Sequence, residues 1–578
     1  MSTENHSKES SLPKNETGAD SSSNESVHSH TSMAQSPAAF DAEDIEAHQG
    51  DEEFFVDELQ RADTRTDMSR QMSRALTGAS TPAEVDASYS TPLPPMGLGK
   101  ELPKEFPDAE PYTVSFNGPD DPIHPHNWSM KRKVMTCLVV GINTAAVAWG
   151  SSIFSPGIPY VAAEFGVGHV TATLGISLYV LGFATGPVIW APMSELYGRR
   201  PVLLISCLGF VCFCFGAATA KDLQTVLLCR AFIGIIGAAP LVVVPACFAD
   251  LFGPETRGKP ITLFSMAVFA VPLVAPVAGS FIVNSKLGWR WTQYITGIFG
   301  SAGLVLLALF YEETHHPIIL VRKAQEIKAR TGNWLIHAPH DEFQLTIKDI
   351  VEKNFTRPLI MVFTEPILFL ISFYNAFVYG IVYLLLSAYP IIFAEKYRMK
   401  GGVAFLPYLG LVIGMFIGGA YIFYCETYYL RDMKKNGGKP MPESRLYPLF
   451  FGAVTFPVGM MWLTWTGNYP DKVHWMAPTA AGVFIGFGLI TIFNSSINYI
   501  IDVYLIYAAS AIAGNTFLRS AAACAFPLFA TQMFHNMGVN WAGLLIACVG
   551  FALIPVPFLF FKYGRKIREK SKWAIVLN

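Results

Sequence analysis

Charged side chains are scarce in this sequence. Only 15% of its 578 residues are Asp, Glu, Lys or Arg, whereas 52% are hydrophobic. A soluble protein of ordinary composition carries about 25% charged residues. The deficit, together with the long apolar runs that begin after Lys131-Arg132-Lys133, indicates a protein that crosses a membrane many times. The net charge of −2 provides no basic field, so nucleic acid is not an expected partner.

Other absences exclude catalytic and energy-coupling classes. The nine cysteines fall in or beside apolar runs, where we expect free thiols rather than disulfides or a zinc site. The sequence has no GxxxxGK[ST] loop, so ATP is not expected to drive the protein directly. It also shows no nucleophile–base pair and no set of metal ligands. We therefore expect neither an enzyme nor a bound metal or cofactor.

The apolar runs predict twelve transmembrane helices, six on each side of a polar segment. This pattern is typical of all-α membrane proteins built from two six-helix halves, the layout of many secondary transporters. The predicted divisions are a cytoplasmic tail at 1–110, a first half at 111–310, a central loop at 311–358, a second half at 359–562 and a basic tail at 563–578.

Loop charges predict the orientation in the membrane. Lys and Arg concentrate on the side that carries the central loop, which places both termini in the cytoplasm. The polar segment 1–110 is expected to be disordered because it has too little apolar surface to bury. Within it, an arginine stands three residues before Ser73 and another three before Thr77, the spacing that a basophilic kinase reads. A plain solvated linker is the alternative.

Two arginines interrupt apolar runs. Arg230 lies in LLCRAFIGIIGAAPLVVVP, residues 227–245. A lipid-facing arginine at mid-membrane costs roughly 2.5–3.5 kcal/mol, so Arg230 is expected to face the interior. Snorkelling to the membrane surface is the alternative. Arg519 carries the same cost and shares a helix face with Asn515, so it lines the cavity or bonds to Asn515.

Few polar groups remain for a cavity between the halves. Besides the two arginines they are Asn143, Tyr374, Asn375, Tyr379, Asn494, Asn498 and Asn515. A mostly apolar pocket with a few polar groups suits varied amphipathic molecules. No carboxylate lies in the middle of a span and arginines repel a polycation, so the residues favour weak acids and neutral drugs. The proton carrier stays open, with Asp502 and Glu195 as candidates.

The stretch LGFATGPVIWAPMSELYGRRPV, residues 181–202, ends the second span in a short charged turn. Gly182 and Gly186 form a GxxxG pair that lets helices approach closely. The turn resembles the signature of the major facilitator superfamily, whose positions are filled by Glu195, Gly198, Arg199 and Arg200. In that family the turn locks the outward-open state by pairing with an acidic residue at the cytoplasmic end of span four. The resemblance assigns this partner to Asp250, and Arg257 matches the following loop.

Two span motifs extend the resemblance. LCRAFIGIIGAAP is similar to the family's span-four signature, which implies that Arg230 couples substrate to protons. FAVPLVAPVAGSF, residues 269–281, resembles the antiporter motif, with matches at Pro272, Pro276 and Gly279. The two prolines predict a kinked helix. Val271 stands where the motif has glycine.

Longer stretches narrow the resemblance to fungal drug:proton antiporters of the twelve-span class, closest to yeast polyamine and multidrug exporters. They are GPDDPIHPHNWSMKRK (118–133), WRWTQYI (289–295), EETHHPIIL (312–320) and NYIIDVYLIYAASAIAGNTFLRSAAACAFPLF (498–529). The resemblance implies proton-coupled export of spermine, spermidine and varied drugs across the plasma membrane, with the vacuolar membrane as the alternative. For a polycation, Glu312 and Glu313 would form an acidic cytoplasmic entrance.

Two other functions stay open at this point. An uptake symporter or uniporter for a small nutrient has the same fold; Pro272 and Pro276 count against it, whereas Val271 slightly favours it. A non-transporting membrane sensor would use the N-terminal tail as its output. The intact charge set of the turn favours a cycling transporter over a sensor.

Overall fold

Helices form nearly all of the regular structure. The computed structural model describes residues 112–118, 120–253, 256, 258–342, 352–437 and 441–574. Within these ranges the extended backbone contacts amount to one isolated parallel bridge, between Thr113 and His337. The predicted tail at 1–110 lies outside the described residues, together with its kinase candidates Ser73 and Thr77, and so does Arg257.

Eleven of the described helices are long and apolar enough to cross a membrane. A helix is favoured there because lipid offers no hydrogen bonds, and a helix satisfies its backbone groups locally. With one further helix, numbered eleven, the spans in chain order are Met130–Phe165, His169–Leu196, Arg199–Thr219, Leu223–Leu251, Gly258–Val283, Arg290–Phe310, Pro366–Lys396, Gly401–Lys435, Pro442–Gly467, Met476–Tyr504, Ala508–Met537 and Val539–Arg568.

Span eleven is the least lipid-like of the set. Ala508–Met537 has the length of a membrane span but does not qualify by hydropathy, since it carries Asn515, Arg519 and several small residues. It packs most extensively against span seven of its own half and span two of the other half. A helix that faces other helices does not need an apolar surface all round. The twelve predicted spans are therefore present, as two sets of six.

Short turns interrupt the spans, and two helices join the halves. Span one contains the 3₁₀ turn Ser155–Gly157, and span seven ends in the π-helix Ile391–Lys396. Between spans six and seven lie the helices His316–Thr331 and Arg357–Thr364. We call the end of the bundle that carries this segment the connection face, and the other end the opposite face.

The two halves contact each other along several pairs of spans. Spans two and eleven pack together, and the Ser177 hydroxyl donates a 2.7 Å hydrogen bond to the Cys524 carbonyl oxygen. Spans five and eight also pack together. Spans one and seven are joined by the Tyr383 hydroxyl, which donates to the Ser151 hydroxyl oxygen at 3.2 Å. A site between the halves therefore has residues from both within reach.

The GxxxG pair of span two packs against span four. A Cβ on Gly182 would overlap the backbone of Gly234, and a Cβ on Gly234 would lie 2.8 Å from the Tyr179 carbonyl carbon. Backbone therefore touches backbone, and neither helix has room for a methyl group. This close approach holds Arg230, four residues before Gly234, beside span two.

We predict that Gly234→Ala destabilises the protein by about 1–3 kcal/mol, because the added methyl group must push two helices apart. Gly141→Ala in span one is the matched control, since a Cβ there meets nothing within 4 Å. It should be neutral or stabilising, because alanine is the better helix former by about 1 kcal/mol. Thermal melting of the detergent-solubilised variants measures both effects. Equal melting temperatures for the two variants would contradict the packing described above.

Candidate functional site

Arg230 lies inside the first half, with none of its side chain exposed. Its Nε donates to the Gly175 carbonyl oxygen at 2.9 Å, and its Nη1 donates to the Gly150 carbonyl oxygen at 2.8 Å. The guanidinium carbon lies 4.8 Å from the Phe154 ring centroid and 4.5 Å from that of Tyr179. Carbonyl oxygens and ring faces carry partial negative charge and so replace a counter-ion. The arginine ties spans one, two and four together, and its part in proton coupling stays a prediction.

A chain of polar contacts leads from Arg230 into the second half. Its Nη2 donates to the Ser151 carbonyl oxygen at 3.4 Å, and the Ser151 hydroxyl accepts from Tyr383 at 3.2 Å. The hydroxyls of Tyr383 and Tyr379 are 3.4 Å apart. The Tyr379 ring centroid lies 4.6 Å from the guanidinium carbon of Arg519. The two arginines, one in each half, are thus connected across the interface.

Arg519 has aromatic neighbours and an unused donor. It also lies over the Phe493 ring at 4.9 Å, and its buried Nε has no hydrogen-bond partner. Asn515 bonds to span seven instead of Arg519, since its Oδ1 accepts from Asn375 Nδ2 at 3.0 Å. Asn375 Oδ1 and Asn515 Nδ2 are buried without partners. A buried polar atom without a partner costs about 1–3 kcal/mol, so these atoms are available to a ligand.

The other residues predicted for the cavity lie in different places. Tyr374 is buried with its hydroxyl unpartnered. Asn494 Nδ2 lies 3.5 Å from the Thr262 hydroxyl of span five, and Asn498 Nδ2 donates to the Asn494 carbonyl oxygen at 2.9 Å. Asn494 and Asn498 line a cleft of their own, formed by spans five, eight, nine and ten.

Asn143 does not lie between the halves, so its prediction as a cavity residue is wrong. Its Nδ2 donates to the carbonyl oxygens of Val139 and Gly303, at 3.0 and 3.1 Å. Its Oδ1 is 2.9 Å from the Cys207 thiol of span three. The amide is occupied by spans three and six, on the far side of span one from the second half. The sequence pattern did not reveal which face of span one packs against spans three and six, because the few polar residues of the span form no continuous stripe.

The charged turn between spans two and three forms an ion pair on the connection face. Arg199 is buried, and its Nε donates to Asp250 Oδ2 at 3.2 Å. Its Nη1 donates to the Ser194 hydroxyl at 2.7 Å. The pair joins the start of span three to the end of span four, the pairing that the resemblance implied. Glu195 is exposed to solvent on the same turn.

Glu313 caps the start of span three. Its Oε1 accepts from the backbone N–H of Arg199 at 2.9 Å, and its Oε2 from that of Arg200 at 3.0 Å. Oε1 also accepts from the N–H groups of Thr314 and His315. An anion at a helix N-terminus satisfies free N–H groups and is stabilised by the helix dipole. A buried carboxylate used in this way cannot capture a passing cation, so the acidic entrance predicted for Glu313 is wrong.

Glu312 and Gly198 complete the same corner. Glu312 is exposed and pairs with Arg132 at the start of span one, so it is a surface ion pair and not half of an entrance. Gly198 has a φ of +95°, and a Cβ there would lie 2.5 Å from Glu313 Oε2. Glycine is therefore required both by the backbone and by the cap. Arg200 donates from Nη2 to the Ala308 carbonyl oxygen at 3.2 Å, which fixes span six beside span three.

The second half contains a matching ion pair that sequence reasoning missed. Arg445 Nε and the Tyr429 hydroxyl each donate to Asp502 Oδ2 at 2.9 Å. The Arg445 guanidinium also lies over the Tyr429 ring at 3.4 Å. The pair joins the start of span nine to the end of span ten, just as the first pair joins spans three and four. That repeat of position was the available signal. Asp502 as proton carrier stays a prediction.

Span five is one continuous helix across its motif. Pro272, Pro276 and Gly279 are all buried within Gly258–Val283. A Cβ on Gly279 would lie 2.6 Å from the Ile153 carbonyl oxygen of span one. The glycine therefore permits close packing of spans one and five. A role of this motif in antiport stays a prediction.

Histidine rings gather beside the end of span four. The ring centroid of His316 lies 4.3 Å from that of His124 and 5.1 Å from that of His126. Burial, followed by the charges of His316 and His126, lowers the pKa of His124 to about 4, and burial lowers the pKa of His316. His124 is therefore neutral at pH 7. Across the described ranges, this cluster included, no three metal-ligating side chains are arranged to hold an ion.

We predict that Glu313→Gln destabilises the protein by about 1–3 kcal/mol, since a neutral amide turns N–H donors towards N–H donors. Glu312→Gln is the matched control because it removes only an exposed ion pair, worth about 0–1 kcal/mol. Thermal melting in detergent distinguishes the neighbours. A Glu312→Gln variant that is as unstable as Glu313→Gln would contradict the cap.

Known proteins match most of the chain. The family model of the Major Facilitator Superfamily matches residues 140–527. The multidrug transporter FLU1 of Candida albicans is 50% identical over 541 residues, 93% of this chain and 89% of its own. The multidrug transporter TPO1_2 of Candida glabrata is 53% identical over 496 residues, 86% of this chain and 85% of its own.

A solved structure shares the fold. The xylose transporter XylE of E. coli, in a partially occluded inward-open conformation, has a TM-score of 0.51 at 17% identity, covering 75% of this chain and 98% of that one. The family model and the relatives support the family that the charged turn between spans two and three indicated. The solved structure supports the arrangement of two sets of six helices. The chain belongs to the Major Facilitator Superfamily, a family of multi-pass membrane transporters.

Proposed function

We propose that this protein is a proton-coupled antiporter that exports polyamines, structurally varied drugs, or both. The observation that carries the proposal is the polar path from Arg230 through Ser151 and Tyr383 to Tyr379 and Arg519. A path that crosses between the halves supplies a physical link between a proton-sensitive half and a substrate-binding half. The names of the related multidrug transporters support the substrate class.

Substrate binds between the halves. The unpartnered atoms of Asn375, Asn515 and Arg519 offer an acceptor and two donors, and the rings of Tyr379 and Phe493 offer stacking surfaces. A ligand that fills these bonds also alters the position of Tyr379, and hence the Tyr383–Ser151 contact that joins the halves. The two halves then rock about the site, which opens alternately to each side.

The connection face is the cytoplasmic face, with both termini on that side. The pairs Arg199–Asp250 and Arg445–Asp502 each brace two spans within one half, so that each half moves as a unit. The protein resides in the plasma membrane. Residues 1–110 form a cytoplasmic tail that a kinase modifies at Ser73 or Thr77.

The substrate's charge is the main question for the first experiment. We would measure uptake into inside-out vesicles of three probes: labelled spermidine, labelled benzoate as a weak acid, and the uncharged dye Nile red. The expected result is accumulation that requires an acid-inside gradient and collapses with it. A protein that only equilibrates the probes is a uniporter, and accumulation that requires the opposite gradient indicates symport. If no probe moves in vesicles and deletion of 1–110 abolishes the cellular phenotype, the protein is a sensor.

We predict that Arg230→Lys abolishes gradient-driven accumulation but leaves substrate–substrate exchange largely intact. Lysine keeps the charge and the interior position. Its single compact ammonium group, however, cannot reach the carbonyl oxygens of Gly175, Gly150 and Ser151 together, as the forked guanidinium does. The measurement compares accumulation with counterflow in the same vesicles, where a loss of at least about tenfold in accumulation corresponds to 1.4 kcal/mol.

Membrane abundance and melting temperature serve as controls for this variant. If Arg230 only holds three helices together, accumulation and counterflow fall in parallel with the melting temperature. Unchanged accumulation would place proton coupling elsewhere.

A further inference from the structure

We propose that the cleft between spans five, eight, nine and ten binds an organic ammonium group, with Glu426 as its counter-ion. The proposal rests on the export function above and names a site for the cationic members of its substrate class. It also addresses a difficulty in that function. The predicted spans have no mid-membrane carboxylate, and the interior holds two arginines that repel a polycation.

The cleft has a cavity volume of about 30 Å³ and is shared by both halves. The first half supplies Gly258 and Thr262, and the second half supplies the remaining walls. Those whose chemistry matters here are Glu426, Tyr429, Arg445, Asn494 and Asn498. It lies near the connection face, where span five begins and span eight ends. A ligand there contacts both halves before it reaches the level of Arg519.

In and beside the cleft, two carboxylates, Glu426 and Asp502, stand against one arginine, Arg445. Arg445 is committed to Asp502 by a 2.9 Å ion pair and to Tyr429 by ring stacking. That pair is neutral overall. Glu426 has no ion pair in the described part of the chain, and its Oε2 is buried without a hydrogen-bond partner. The net charge of these groups is therefore −1, and it resides on an atom inside the cleft.

Helix geometry also places the Glu426 carboxylate beside the positive end of a helix. Span five begins at Gly258, and a Cβ at that position would overlap Glu426 Oε1. The carboxylate thus lies against the N-terminus of a helix from the other half, whose dipole stabilises an anion by about 0.3–1 kcal/mol. Oε1 is the carboxylate oxygen nearer to Gly258. Oε2 remains for a ligand, and glycine at 258 leaves room for the carboxylate to approach.

The lining selects an ammonium ion over other cations. An ammonium group is a compact donor of up to three hydrogen bonds, and the cleft offers the Glu426 carboxylate, the Thr262 hydroxyl and the side-chain amide oxygens of Asn494 and Asn498. A planar guanidinium prefers a carboxylate with both oxygens free, and here one is held against span five. A metal ion would require more anionic ligands than this one carboxylate.

A purely structural role for Glu426 makes a different prediction. If the carboxylate only latches span eight to span five, its loss changes the rocking of the halves and slows every substrate alike. If it binds ammonium groups, its loss affects cationic substrates alone. The ratio of spermidine transport to transport of an uncharged probe therefore distinguishes the two roles.

The test measures initial rates of spermidine and Nile red uptake in inside-out vesicles carrying full-length protein, over a range of concentrations. Glu426→Gln should raise the apparent KM for spermidine by about tenfold or more, since a charged hydrogen bond is lost. The Nile red rate should stay within about twofold. Glu426→Asp, which keeps the charge on a shorter arm, should restore part of the spermidine affinity. Glu352→Gln, an exposed carboxylate outside the cleft, is the matched control.

Equal losses for both probes would overturn the proposal in favour of the latch, and no loss for either would overturn it outright. A wild-type protein that moves Nile red but not spermidine would also overturn it, while leaving drug export in place. If wild type moves neither probe, the proposed function fails before the cleft is tested.

Discussion

The structure depends on one constraint: a charged side chain inside a lipid-embedded bundle must be stabilised by polar groups or opposite charges of the same chain. The hydrocarbon core of the membrane offers no hydrogen bonds, and an uncompensated arginine is costly there. Arg230 meets this constraint with carbonyl oxygens and ring faces instead of a carboxylate. Carbonyl oxygens are fixed by the helices that carry them, so the arginine can be held only if spans one, two and four stay at their present spacing. The close contact at Gly234 is part of the same requirement.

On the connection face, ionised carboxylate side chains meet the same constraint. Glu313 neutralises the positive end of span three, and Asp250 and Asp502 each pair with an arginine that begins the preceding span. Glu313 lies at a helix N-terminus, where the dipole and the free N–H groups stabilise an anion, whereas Asp250 and Asp502 lie at helix C-termini and depend on their arginine partners. Because the pairs lie within one half, they stiffen each half. Glu426 differs because it acts across the halves, against the first turn of span five.

The fold was largely predictable from the sequence because lipid imposes a simple rule, that apolar runs of about 20 residues become helices. The site was less predictable, since its residues are defined by which helix face meets which neighbour. Asn143 illustrates this, because the few polar residues of its span form no stripe that indicates which neighbour each one meets. Glu313 illustrates a second limit. Its sequence context suggested a free surface acid, whereas its partners include backbone N–H groups 113 and 114 residues away in the chain.

These electrostatics also explain how one transporter can accept substrates of different charge. A cation and an anion cannot share one rigid counter-ion, but the chain holds its opposite charges at different places. Arg519 lies between the halves with aromatic rings around it, and Glu426 lies in the cleft towards the connection face. An uncharged amphipathic molecule needs neither and binds by stacking and burial. Export of varied compounds then requires no single best-fitting pocket, only that each class alters the Tyr383–Ser151 contact that joins the halves.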